Sequence, residues 1–447
     1  MKLHISALKN WKKLCLLLVL FIQMPVTVTA QVQNQTLPTI ESPTALLFNA
    51  NSGQIIFEKE SDIPMDAGSV SKLLSLYILR KAIDAGEIDW DTTVPISDYA
   101  YAVSQDYDVA NVPLRQDKTY TVEELYEAVI INLAHGATIA LSELLAGSEP
   151  EFVQVMSQQL DAWGIEDYDL INATGLTSAY DPTVVGSEEE GTTNQLTAEA
   201  VGVIAYYLLE DYPDILSLTS VTEKTFRQGT SDAFQMTNYN QMLPSSNFGY
   251  PDVDGLSSGS SLAGGYNLVV TADRDNYRLL AVILGATSNE ERYNSATALL
   301  DYGFGYFRND RLIQANQVAT QISEIPVVGA TEKSVSLVYE EPLDLTVPIG
   351  QNNVSLAYDF IPNDAYFDDN NRLVSPVAAN TTVGSVQVTL RDSPINYLPN
   401  VQGNQTPVKI ASAIEEAPWY TNSWNQLSDG FSQTMESIRV FFTDLFN

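Results

Sequence analysis

Apolar and polar positions fall into a few distinct patterns along the chain. Ala45-Leu46-Leu47-Phe48 and Gln54-Ile55-Ile56-Phe57 flank Asn51-Ser52-Gly53, which predicts a hairpin. From Ser71 to Ala85, apolar residues stand at 73, 74, 76, 77, 79 and 83, dense enough for a buried helix. Thr121-Val122-Glu123-Glu124 opens a further helix, with Thr121 as N-cap and Glu124 at the capping-box position. Leu268 to Thr271 and Tyr277 to Leu284, either side of residues 272–276, predict a second hairpin. Strands at both ends with helices between them imply an α+β domain over residues 42–307, its sheet assembled from distant segments.

The texture changes near residue 308. Val335 to Tyr339, Leu343 to Val347, Val354 to Tyr358 and Val386 to Leu390 are short, alternating and bounded by turn residues. They predict an all-β domain over residues 308–417. In the last stretch, 418–447, Trp424, Leu427, Phe431, Met435, Ile438, Phe442 and Leu445 recur at spacings of three and four, as on one face of an amphipathic helix. Two readings stand for it: a membrane-surface anchor, or a helix docked on its own β domain. Its polar face carries Asp429, Glu436 and Asp444 against Arg439 alone, which weakens attraction to anionic lipid. Its terminal position and aromatic-rich apolar face favour the anchor.

The N-terminus reads differently. Lys2, Lys9, Lys12 and Lys13 precede the apolar run Leu14 to Ile22, and Val28-Thr29-Ala30 offers small residues before a cut. The run is short for a membrane span, so residues 1–30 read as a signal peptide cleaved after Ala30. Residues 31–41, rich in Gln, Asn and Thr, read as a leader.

Composition narrows the function. The 447 residues carry 22 Lys+Arg against 56 Asp+Glu, a formal charge of −34. That excess argues against nucleic acid as a partner, since neutralising phosphates needs clustered cations. Loss of residues 1–30 removes four lysines and no acid, so the exported chain is more acidic still. Cys15 is the one cysteine, and His4 and His135 are the two histidines. No disulfide framework or cysteine-based metal site can be built, and neither a metal nor a cofactor is expected. Asp252 and Asp254 invite a calcium reading, but no full ligand loop follows and a turn is expected. This usage fits an exported bacterial cell-surface protein.

The chemistry begins at Ser69-Val70-Ser71-Lys72. Residues three apart share a helix face, so the serine can pass its proton to the lysine if burial keeps that amine neutral. The helix N-terminus adds a positive dipole where an oxyanion would develop. The spacing alone is weak, since Ser6-Ala7-Leu8-Lys9 matches it too. Alone it also fits a plain helix start, with Ser69 as cap and Lys72 solvated.

Context raises its weight. Ala45 to Ile56, Ala67 to Ile83, Asn111 to Arg115, Tyr120 to Gly147, Asn172-Ala173-Thr174-Gly175-Leu176, Met236 to Asn240 and Val253-Asp254-Gly255-Leu256 together resemble the serine D-alanyl-D-alanine carboxypeptidases. These peptidase S11-like, low-molecular-mass penicillin-binding proteins trim peptidoglycan stem peptides. The resemblance covers nearly all of the mature chain. It implies a β-lactamase/transpeptidase-like domain, an antiparallel sheet with helices, followed by an all-β domain and an anchoring tail. Peptidoglycan stem peptides and β-lactams are the implied partners, with the membrane surface as the partner of the tail.

The family site has three motifs, S-x-x-K, S-x-N and K-T-G. The first falls on Ser69 as nucleophile and Lys72 as general base. The place of S-x-N is held by Leu133-Ala134-His135, and that of K-T-G by Ser257-Ser258-Gly259. Leu133 has no proton to relay. Ser257 removes the charge that faces a substrate carboxylate, while Ser258 keeps a hydroxyl and Gly259 a close backbone approach. His135 is either a replacement acid or base, or a histidine filling a disused cleft and bonded to backbone. With no carboxylate partner assignable, the second reading is preferred. Loss of one preorganised electrostatic group costs about 10²–10³ in rate, so turnover is expected to be weak or lost. The alternative is a non-catalytic peptidoglycan- or partner-binding protein that regulates cell-wall synthesis. A β-lactamase-like hydrolase fits less well, because of the long β domain and tail.

Overall fold

The structure is a computed structural model that describes residues 36–180, 191–261, 264–350, 355–391 and 396–418. The expected signal peptide, residues 31–35 of the leader and residues 419–447 of the expected amphipathic helix lie outside the described residues.

Strands β1 (Thr44–Asn49), β2 (Ile55–Lys59), β3 (Val253–Ser261), β4 (Gly265–Arg274) and β5 (Tyr277–Ala286) form one antiparallel sheet in the order β3-β4-β5-β1-β2. Strand β1 pairs with β5, with Leu46 opposite Val282, so the chain closes its sheet across more than two hundred residues. Alternate residues enter opposite cores. Leu46, Phe48, Val269, Leu280 and Val282 face one, and Ala45, Leu47, Leu268, Val270 and Leu279 the other. A strand buried on both faces must be apolar throughout, which explains the unbroken run Leu279–Leu284.

The first core is filled by α1 (Lys72–Asp84), α2 (Asp98–Ser104), α3 (Val122–Asn132), α4 (His135–Ala146), α5 (Glu149–Ala162) and α6 (Ala198–Asp211). The second is covered by α7 (Asn289–Tyr306) through Tyr293, Ala296, Leu299 and Leu300. The capping box before α3 is formed: Glu124 N donates to Thr121 Oγ1 at 3.2 Å, and Thr121 N to Glu124 Oε2 at 3.1 Å. The hairpin β4–β5 is longer than its apolar pattern suggests. Asp275 and Asn276 both take left-handed φ, 56° and 62°, which lets two residues make the turn. Asp252 and Asp254 accept from Arg274 and Arg278.

Beyond α7 lie β6 (Phe307–Ile313), β7 (Leu337–Tyr339), β8 (Leu343–Pro348), β9 (Leu356–Pro362), β10 (Thr382–Leu390) and β11 (Gln405–Ile410). Strands β7-β11-β10-β9 form an antiparallel sheet, and β6 pairs with β8. Leu337, Tyr339, Val386, Val388, Val408 and Ile410 build a separate core there.

The β region is tied to the helical one by residues 396–404. Ile55 N donates to Asn396 O at 2.8 Å, and Leu398 N to Gly53 O at 2.9 Å. Leu398, 1% exposed, belongs to the first core, where it packs over Gly202 of α6. Gln54 and Thr346 add a two-way amide pair, Nε2 to O at 2.8 Å and N to Oε1 at 2.9 Å. Leu398→Ala should therefore cost about 2–5 kcal/mol, as for other buried leucine truncations. Denaturant unfolding of the full chain reads this directly, and a loss below about 1 kcal/mol would show that the strap is not packed in the core.

Candidate active site

Gly68–Ser71 forms one 3₁₀ turn, and Lys72 is the first α-helical residue. Ser69 makes no cap, and Lys72 is 1% exposed, so the plain helix start with a solvated lysine is not what the chain adopts. The turn carries Ser69 Oγ to 3.0 Å from Lys72 Nζ. A lysine in this position needs other partners, and the chain supplies two. Nζ donates to Thr174 O at 2.7 Å and lies 3.0 Å from His135 Nδ1. His135 Nε2 in turn is 3.5 Å from Ser69 Oγ.

A polar network fixes the carbonyl that holds the lysine. Asn172 Oδ1 accepts from Thr174 N at 3.1 Å and Gly175 N at 2.7 Å. Asn194 binds Asn172 O and Ser71 Oγ through its amide nitrogen, at 2.9 and 3.0 Å. Gly175, with φ +72°, lies against Gly68, and a Cβ there would sit 1.8 Å from Gly68 O. Only glycine admits this contact between the lysine-holding loop and the Gly68–Ser71 turn. Glu149, buried at the start of α5, accepts from Ala173 N at 2.9 Å and Tyr99 OH at 3.1 Å.

The electrostatics follow from dryness. Burial pushes the Lys72 amine well below its ordinary value, opposed by the charge of Glu149. Burial, with Lys72 second, likewise holds the His135 imidazole well below its usual range. A neutral amine has a lone pair to accept the Ser69 proton, and a neutral imidazole can both give and take one.

His135 reaches this place through local geometry. Leu133 ends α3 in a left-handed conformation, φ 51°, and after Ala134 the chain starts α4 at His135. Asn111 Oδ1 accepts from Gly136 N at 2.8 Å and satisfies the new helix start. The side chain of His135, 4% exposed, meets Lys72 and Ser69, whereas the reading preferred from sequence gave it backbone partners. Its own backbone N–H takes the carbonyl, at Ala110 O, 3.0 Å away.

The other wall is β3, the edge of the sheet. Gly259 packs against the Gly68–Ser71 turn, and a Cβ there would lie 3.0 Å from Ser69 N and 3.1 Å from Val70 N. Ser257, two residues earlier, shares that face, while Ser258 alternates to the other. Both hydroxyls lack a hydrogen bond among the described residues. The structure thus brings Ser69, Lys72, His135 and Gly259 together and sets Ser257 on the same wall. Leu133 sits in the turn before His135. Thr174 was missed by sequence reasoning because a backbone carbonyl leaves no residue signature, although Asn172–Leu176 stood out as a stretch.

The family model for D-alanyl-D-alanine carboxypeptidase, peptidase S11, matches residues 29–288, more than half of the chain. The chain belongs to this carboxypeptidase family. The C-terminal domain of penicillin-binding protein 5 matches residues 307–416. D-alanyl-D-alanine carboxypeptidase DacC of Escherichia coli K12 is 25% identical over 417 residues, 93% of this chain and 94% of that protein. A solved peptidoglycan synthesis regulatory factor, penicillin-binding protein 3 of Streptococcus pneumoniae, is 29% identical with a TM-score of 0.72, covering 84% of this chain and all of that one. Penicillin-binding protein D2 of Listeria monocytogenes, solved with ampicillin bound, shares the fold at 23% identity and a TM-score of 0.50, over 60% of this chain and 100% of that one. Members of the carboxypeptidase family act on peptidoglycan.

A lysine held neutral in the fold and charged when unfolded makes stability rise with pH. Below its ordinary value near 10.5 the unfolded chain binds a proton that the folded chain does not. The stability of the full chain minus that of Lys72→Met should therefore increase as the pH rises toward 10.5, by up to about 1.4 kcal/mol per pH unit. A difference that stays flat over this range would mean that Lys72 is charged in the folded protein.

Proposed function

We propose that this protein is an extracytoplasmic bacterial cell-wall protein that recognises peptidoglycan stem peptides ending in D-Ala-D-Ala. We infer that it forms an acyl-enzyme at Ser69 and turns over weakly. The observation that carries the reading is the buried contact of Ser69 Oγ with Lys72 Nζ, at 3.0 Å. Ser69 Oγ attacks the penultimate D-Ala carbonyl while Lys72 takes its proton. The oxyanion is met by backbone N–H groups at the start of the nucleophile turn and along β3. Collapse breaks the peptide bond, the terminal D-Ala amine leaves with a proton, and water then hydrolyses the ester. Leu133 cannot relay that proton, so His135, 3.0 Å from Lys72 and 3.5 Å from Ser69, is the group placed to do so.

Weak turnover rests on Ser257. Without a lysine there, the substrate carboxylate loses a charge partner, and the strongly acidic chain offers little to replace it. β-Lactams fit the same acylation: the amide C–N bond of the strained ring breaks, and its nitrogen takes a proton and stays tethered to the acyl group. The terminal segment 418–447 is assigned to the membrane surface. The second reading, a non-catalytic peptidoglycan binder, draws on the loss at both Leu133 and Ser257.

Fluorescent penicillin added to the purified full chain separates the two. The expected result is a covalent label that persists for many minutes and is absent from Ser69→Ala. In the same assay His135→Ala should slow labelling about 10²-fold, the scale of a lost acid–base group. Release of D-Ala from a pentapeptide should rise in Ser257→Lys. No label at any concentration, with retained binding of peptidoglycan fragments, would establish the binding protein instead.

A further inference from the structure

Arg292, the fourth residue of α7, is 6% exposed and lies behind the sheet. A buried guanidinium is ordinarily met by a carboxylate, because an unpaired charge is costly to desolvate. None of the ion pairs among the described residues includes Arg292. Its partners are instead main-chain and aromatic. Nη1 donates to Gly259 O at 2.7 Å and Asn267 O at 2.9 Å, and Nη2 to Tyr293 OH at 3.0 Å. The guanidinium also lies over the rings of Tyr293 and Tyr266, at 4.7 and 5.4 Å.

Those two carbonyls belong to residues that face one another across β3 and β4. One nitrogen can reach both only if both point into the space between the strands. The Gly259–Ser260 peptide is trans, so its N–H points opposite to its C=O. The Ser260 N–H is thereby directed out from β3, along the open edge of the sheet and beside the nucleophile turn. Gly259 itself abuts Ser69 N through the face of the strand, and Ser260 O lies 3.7 Å from where a Cβ on Gly68 would stand. A cation on the carbonyl also polarises the peptide and makes its N–H a stronger donor.

We propose that Arg292 is a positioning residue for acyl transfer, which orients and polarises the Gly259–Ser260 peptide so that the Ser260 N–H meets the oxyanion formed at Ser69. The proposal rests on Ser69 being the nucleophile. It gives α7, on the face of the sheet away from Lys72, a part in the chemistry.

The test is the labelling time course of the full chain with fluorescent penicillin, over a range of concentrations. Removing one oxyanion donor outright costs about 10²–10³ in rate, so disorienting one should cost less. In Arg292→Met the first-order acylation constant should fall about 10–50-fold on that scale, with the half-saturating penicillin concentration within about twofold of the parent. Arg292→Lys, which keeps the charge, should recover part of the loss. A purely structural arginine would instead lower the fraction of molecules that label and leave the rate of the remainder unchanged, which would overturn the proposal. Should the parent chain not label at all, the acyl-enzyme reading fails separately. The polarisation is then read from the Ser260 amide proton in ¹⁵N-serine-labelled chain, identified by its loss in Ser260→Ala. It should move upfield in Arg292→Met, and an unmoved signal would overturn the proposal.

Discussion

The site depends on one costly act, the removal of a lysine amine from water. Lys72 is buried, with no carboxylate in hydrogen-bond contact among the described residues, and its amine is satisfied by Thr174 O, Ser69 Oγ and His135 Nδ1. Folding accepts that penalty only if the amine gives up its charge. Much of the surrounding structure keeps those partners in place. Asn172 and Asn194 hold the loop that presents Thr174 O, Gly175 lets that loop touch the Gly68–Ser71 turn, and Glu149 anchors the loop from α5. Such arrangements reduce stability and are retained where a reactive group is needed.

The polar wall around this centre differs from the family motifs as the sequence reading aligns them. On that reading Leu133 and Ser257 stand where S-x-N and K-T-G carry a proton carrier and a cation. His135 enters from the start of α4 and contacts both remaining partners. On the opposite side, Arg292 spends a buried charge on two strand carbonyls. The losses bear on the carboxylate and on the departing amine. The retained parts bear on the attack itself. On the proposed reading, a protein with this balance should be acylated more readily than it completes a cycle, and β-lactams, whose expelled nitrogen stays tethered to the acyl group, should expose the difference most clearly.

Legibility from sequence followed the kind of signal each element leaves. The hairpins, the capping box at Thr121 and the alternating strands of the β region carry local patterns, and the sheet built from distant segments followed from strands at both ends of the first region. The S-x-x-K spacing was ambiguous alone, and its sense came from flanking stretches. Three features left no pattern. Thr174 acts through its backbone. Arg292 stands as a lone cation in Asn289-Glu290-Glu291-Arg292, where it reads as an exposed helix charge. The strap around Leu398 joins segments more than three hundred residues apart. His135 was found by position, but its side chain's partners depend on the two-residue break between α3 and α4, which sequence periodicity does not resolve.

The central claim is that Lys72 stands neutral beside Ser69, and its ionisation can be observed directly. In full chain carrying ¹³C-labelled lysine, with Lys72→Met identifying the signal, the Lys72 side-chain resonance should reach the free-amine position well below the ordinary lysine value near 10.5. A Lys72 signal that leaves the ammonium position only near that ordinary value would contradict the account.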